Sequence, residues 1–182
     1  MNKKLNALSH FLYLCLLITP GVLCAQEAPS FFLKNLCEYK TDGTSKYGGL
    51  IINLSVPCKW KEEKSKMERI LKKFSYDLNS FNITQTLMIS SLKKSVKVKS
   101  TGTPIIQISG INGSETVQKV PDETPYGKSY SLFFFYDFVY KNKFIEITYS
   151  IVSVSKSLFE SASIESYTTL FRALITNSKF LN

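Results

Sequence analysis

Four cysteines, one histidine and 14 carboxylates are the raw material for chemistry in these 182 residues. The only histidine, His10, lies in an apolar N-terminal stretch that reads as a secretory signal. Once that stretch is removed, a Ser-His-Asp triad, a Cys-His dyad and every His-based metal site are excluded. Two cysteines remain beyond it, Cys37 and Cys58. They are too few for an all-thiolate zinc site and too far apart for a C-x-x-C redox pair, so in an oxidising compartment they are expected to form one structural disulfide. Closing a loop of about 20 residues stabilises a domain by roughly 3 kcal/mol on the chain-entropy model.

Other chemistry needs other residues. Asp137 and Glu146 are the best candidate pair of carboxylates for a glycoside-type hydrolase, being placed on one face of a hairpin. The plainer reading is a solvated polar face beside Lys141 and Lys143. Gly127-Lys128-Ser129 echoes the end of a phosphate loop, but Asp122 stands where that motif has its first glycine. Calcium loops of the D-x-D-x-D-G type are absent. No metal site and no cofactor are expected.

The chain carries a formal net charge of +9, and of its 23 basic residues only Arg69 and Arg172 are arginine. A reader of phosphates or bases uses arginine for bidentate contacts, so no specific nucleic-acid partner is expected. Lys93, Lys94, Lys97 and Lys99 form the densest cluster. Alternating with Val96 and Val98, Lys97 and Lys99 read as charges guarding a sheet edge. The alternative is weak contact with an anionic surface, such as lipid headgroups or polysaccharide. The lone tryptophan, Trp60, is either a packing anchor or the centre of a partner-binding surface.

The elements that position these residues follow from patterning. Lys3 and Lys4, the apolar run Phe11–Ile18, the breakers Pro20 and Gly21 and a cleavage region ending at Ala25 make residues 1–25 a signal peptide. Cys24 lacks the flanking residues of a lipoprotein signal, which makes lipid anchoring the weaker reading. Residues 26–182 are expected to form one secreted or periplasmic domain. Within it, Leu50, Ile52, Leu54 and Val56 alternate as a strand stopped by Pro57.

Met67, Ile70, Leu71, Phe74 and Leu78 fit a helical period, and Ser65 with Glu68 would cap it. The run from Phe74 to Ile83 nevertheless also reads as a hairpin corner. Gly110–Gly113 is expected to turn into a strand over Ser114–Val120, with a loop from Pro121 to Gly127. Leu132–Tyr140 and Phe144–Val154 read as a hairpin turning at Asn142-Lys143, which pairs Tyr140 with Ile145, Phe138 with Ile147 and Tyr136 with Tyr149. Tyr167, Leu170, Phe171, Leu174 and Ile175 form the apolar stripe of a terminal helix. Strands followed by a helix imply an α+β domain around a mostly antiparallel sheet.

Three features together resemble the PsbP-like superfamily of envelope and lumenal domains. Tyr47-Gly-Gly-Leu-Ile-Ile-Asn-Leu-Ser-Val-Pro-Cys-Lys-Trp60 looks like its opening strand, Tyr136–Ile151 like its late hairpin, and Ile164–Asn182 like its closing helix and tail. The resemblance implies an antiparallel sheet of six or seven strands flanked by helices, an α/β/α sandwich. It also turns the ambiguous segment into a hairpin, Ile70–Tyr76 with Ile83–Ser90. Relatives of this kind mostly bind or assemble other proteins, so a non-enzymatic domain with an envelope protein partner is expected, and no site residues carry over.

Overall fold

A computed structural model describes residues 31–78, 81–91, 106–124, 127–161 and 164–181. Residues 1–25, expected to be a signal peptide, and Lys93, Lys94, Lys97 and Lys99 lie outside the described residues. Among the described residues, besides single helical turns at 31–33 and Ser45–Tyr47, ten strands and two helices follow in the order β1 (Leu36–Lys40), β2 (Ile51–Pro57), β3 (Lys61–Glu63), β4 (Ile70–Leu78), β5 (Phe81–Ser91), β6 (Ile106–Ile108), β7 (Ile111–Thr124), β8 (Gly127–Tyr140), β9 (Lys143–Ser153), α1 (Lys156–Ser161), α2 (Ile164–Asn177) and β10 (Lys179–Leu181). They build a seven-stranded sheet in the order β3-β4-β5-β9-β8-β7-β6 and a three-stranded sheet in the order β1-β2-β10. Every pairing is antiparallel.

The core lies on one face of the large sheet. Strand side chains alternate between faces, so Leu132, Phe134, Tyr136 and Phe138 of β8 point the same way as Ile145, Ile147, Tyr149 and Ile151 of β9, and all eight are buried. Helix α2 lays its stripe on them. Tyr167, Leu170, Phe171, Leu174 and Ile175 are all buried, and the Phe171 ring sits 4.4 Å from Tyr149 and 4.9 Å from Phe134. The small sheet covers the rest of this face, with Tyr39 of β1 against Phe74 and Phe180 of β10 stacked 4.8 Å from Tyr140. Helix α1 sits on the same side, its Phe159 beside Tyr130.

The domain is therefore strand-rich, and among the described residues no helix covers the second face of the large sheet. The α/β/α sandwich is corrected to a layer of small sheet and helices on one face only. Beyond α2 the chain adds to the small sheet. Lys179–Leu181 joins β2 as a strand, and the Ser178 hydroxyl links both elements by donating to the Leu174 carbonyl and accepting from the Ser55 amide.

Residues 70–78 are a strand and not a helix. Ile70, Phe74 and Leu78 are four residues apart, a spacing shared by one face of a helix and one face of a strand. The helical stripe also required Met67, which is 56% exposed. Ser65 accepts the Met67 amide in a turn, not at a helix cap. The hairpin implied by the family resemblance is present, longer than expected, with Tyr76 opposite Ile83.

The late hairpin also departs from expectation. Lys141 and Asn142 take the left-handed conformation, with φ of 47° and 59°, and form the turn. A two-residue turn with positive φ at both positions matches the twist of the strands it joins. Moving the turn by one residue moves every pairing by two, so Tyr140 faces Lys143, Phe138 faces Ile145, Tyr136 faces Ile147 and Phe134 faces Tyr149. A shift of two preserves the faces, which is why the buried set is unchanged.

The Gly110–Gly113 turn is corrected in the same way. Ser109 and Gly110 make the turn, and Gly113 lies inside β7, where a Cβ would meet the Phe138 ring at 2.4 Å and the Asp137 carbonyl oxygen at 2.7 Å. The loop expected from Pro121 to Gly127 is mostly strand, since β7 and β8 stay paired out to Thr124 and Gly127.

Candidate functional site

The register of the late hairpin sets Asp137 directly opposite Glu146 on the second face of the large sheet. Directly opposed residues bring their Cβ atoms to roughly 5 Å. Ser114 of β7 flanks Asp137, and Met88 of β5 flanks Glu146. The Thr148 hydroxyl donates to Glu146 Oε1 at 2.9 Å, while Asp137 Oδ1 is buried without a hydrogen-bond partner. Burial, and secondarily the charge of Glu146, pushes the Asp137 carboxyl up to about 6. Both effects penalise the ionised form.

Around this pair the face is apolar where an exposed sheet surface is ordinarily polar. Phe133, Phe135, Phe144 and Val152 are half-buried, Val139 is 41% exposed, and the Phe133 and Phe135 rings stack 5.8 Å apart. The β4–β5 side of the same face is polar, with Thr84 bonded to Ser150 and Lys73 paired with Glu63. The outcome is an apolar patch on β8 and β9 with an acidic centre. Among the described residues no three His, Cys, Asp or Glu side chains converge as a metal site would require.

The raised Asp137 carboxyl has a consequence for pH. A carboxyl whose folded pKa lies above its ordinary value of 3.8 stabilises the fold in its protonated form. That contribution is complete below the ordinary value and is lost as pH rises through about 6. Asp137→Asn is expected to raise the unfolding free energy at pH 7.5, and with it the thermal midpoint, by an amount on the order of 1–2 kcal/mol in free energy after allowing for water at a half-buried group. The gain should vanish at pH 4. Thermal melts of both proteins at the two pH values check this, and an equal difference at both would remove the assignment.

The other residues singled out by sequence are placed as follows. Cys37 and Cys58 form a disulfide with Cα atoms 4.9 Å apart, fastening β1 to the end of β2. Trp60 is 6% exposed, packed edge-on against Phe32 at 5.7 Å and near Tyr149 at 6.3 Å. Its indole lies inside the core and offers no surface to a partner. Lys128, in the phosphate-loop echo, lies in strand β8, without the strand-to-helix turn that such a loop needs.

Sequence reading missed a buried polar cluster on the core face. Glu115 of β7 is 4% exposed and accepts two hydrogen bonds from Arg172 of α2, from Nε at 2.7 Å and from the terminal nitrogen at 2.9 Å. Burial and the nearby Glu115 charge hold the Tyr136 hydroxyl well above its ordinary range. Gln85, fully buried, donates to the Tyr149 hydroxyl at 2.8 Å. The available signal was parity, since Gln85 and Glu115 fall among inward-facing positions of their strands.

No model of a protein family matches this sequence, and no characterised protein matches it. Among solved structures, the chain is similar to a Bacteroides thetaiotaomicron VPI-5482 protein at 12% identity, with a TM-score of 0.45 over 72% of this chain and 45% of that one. The chain thus spans less than half the length of that protein. It is also similar to LpqN, a protein involved in cell envelope biogenesis of Mycobacterium tuberculosis, at 9% identity, with a TM-score of 0.44 over 84% of this chain and 95% of that one.

Proposed function

We propose that this chain is a non-catalytic extracytoplasmic binding domain that docks a protein partner on the second face of its large sheet, which no described helix covers. The observation that carries the reading is the patch of Phe133, Phe135, Val139, Phe144 and Val152 around Asp137 and Glu146. Apolar and aromatic residues on a sheet face with a few charges at the centre suit an interface better than a solvated surface. The acidic centre selects a partner that brings a lysine or arginine into an otherwise apolar contact. The Cys37–Cys58 disulfide supports an oxidising compartment such as the bacterial periplasm or the cell exterior.

A photo-reactive residue at Val139 tests the reading against the same probe at Lys46, an exposed residue outside the large sheet. Crosslinking in native envelope fractions is expected to yield one stoichiometric protein from Val139 and not from Lys46. Adding Glu146→Lys should abolish it. Equal or absent capture at both positions overturns the proposal.

The second reading is a carboxylate hydrolase in which Asp137, with its carboxyl raised to about 6, serves as the acid opposite Glu146. It predicts turnover of aryl glycosides that Asp137→Asn eliminates.

A further inference from the structure

A separate feature lies where the start of the described chain meets the end of β2. Phe31, Phe32, Lys34, Asn35, Pro57 and Lys59 line a groove of about 150 Å³. Apolar cavities of roughly that size admit a benzene-sized group. The floor is preformed. Phe32 is 2% exposed and held edge-on by Trp60 at 5.7 Å and Tyr76 at 5.1 Å. The two walls are fastened together, because the Cys58 amide donates to the Asn35 carbonyl at 3.0 Å and Cys58 is covalently tied to Cys37.

The rim is cationic. Lys34 and Lys59 are exposed, and among the described residues neither pairs with a carboxylate. Lys59 holds its ammonium 4.3 Å from the centre of the Phe31 ring, and among the described residues no acceptor takes its hydrogen-bond donors. Among the described residues, the acidic side chains of β1 and β3 are already engaged. Glu38 accepts from Asn53, while Glu62 and Glu63 pair with Lys72 and Lys73. An apolar slot with two ammonium groups at its mouth that no described carboxylate neutralises is complementary to a molecule that is apolar at one end and anionic at the other.

We propose that this groove binds a single anionic alkyl amphiphile, with its hydrocarbon against Phe31, Phe32 and Pro57 and its carboxylate or phosphate between Lys34 and Lys59. The small volume and, among the described residues, the one exposed aromatic, Phe31 at 42%, suit the end of one chain better than a bilayer surface. The site is independent of the sheet-face patch, so either can fail alone.

Calorimetric titration of the purified protein with decyl phosphate, below the concentration at which it forms micelles, provides the test. Saturable one-to-one binding is expected, with amide shifts in NMR confined to the groove residues and weakened by added salt. The exposed charge reversals Lys34→Glu and Lys59→Glu together should lower the affinity at least tenfold while leaving the thermal midpoint unchanged. Decanol, which lacks the anion, should bind at least tenfold more weakly than decyl phosphate. Absence of saturable binding, or binding that survives the double reversal, overturns the proposal. So does binding to phosphatidylglycerol vesicles without binding to monomeric decyl phosphate, which would assign the lysines to a membrane surface.

Discussion

Replacing Arg172 with methionine is expected to destabilise the domain by about 3 kcal/mol, because it strands the Glu115 carboxylate in the core. Glu115 has only 5% of its side chain exposed, whereas Arg172 is 44% exposed, so water can reach the guanidinium and not the carboxylate. The asymmetry makes the consequence of each change different. Removing the arginine leaves a buried anion, while removing the glutamate leaves a partly solvated cation and should cost less. Replacing both with methionine should recover much of the loss, because a buried ion pair is worth little relative to an apolar pair of similar volume. Urea unfolding of the two single variants and the double variant measures the coupling directly. If the two single effects simply add to give the double, the ion pair is not a structural unit.

The second large effect is expected at the disulfide. Converting Cys37 and Cys58 together to serine should cost roughly 3 kcal/mol, the entropy of freeing a loop closed over a sequence separation of 21. For a domain of this size that corresponds to a drop of roughly 6–12 °C in the thermal midpoint. The wild-type protein should lose the same amount when a reductant is added, and the double serine variant should not respond. Cys58 stands between two lining residues of the Phe31 groove, Pro57 and Lys59. Reduction should therefore also weaken amphiphile binding, a readout that general destabilisation well below the melting temperature would not move.

Much of the interior was legible before any tertiary structure. The stripe from Tyr167 to Ile175 is the buried face of α2. The alternation in 132–140 and 145–151 names the inward-facing residues correctly even though the expected register was off by two. In each case burial depends on a local period that the chain carries with it. Where a period was shared by two conformations, as in the four-residue spacing of Ile70, Phe74 and Leu78, the pattern favoured the wrong one. Only pairing with β5 resolves it, because the ladder uses Phe74, Tyr76 and Leu78 on one face.

The candidate site was legible only in part. Asp137 and Glu146 were identifiable as carboxylates on one face, but their direct opposition depends on which two residues turn the hairpin. That depends on Lys141 and Asn142 accepting positive φ, a conformation in which asparagine is enriched and for which lysine has no strong preference. The amphiphile groove gave no signal at all, since Phe31 and Lys34 meet Pro57 and Lys59 across a gap in sequence that no period spans.

The sequence by itself determined that the only histidine, His10, lies in the apolar N-terminal stretch, that Cys37 and Cys58 are the cysteines beyond it, and the parity of β2, β8, β9 and α2. These depend on composition and local period. Tertiary structure alone decided the opposition of Asp137 and Glu146, the pairing of Glu115 with Arg172 across 57 residues, and the recruitment of Lys179–Leu181 into the small sheet. Each of these joins positions whose proximity follows from turn conformation and layer packing, and neither leaves a periodic trace in the chain.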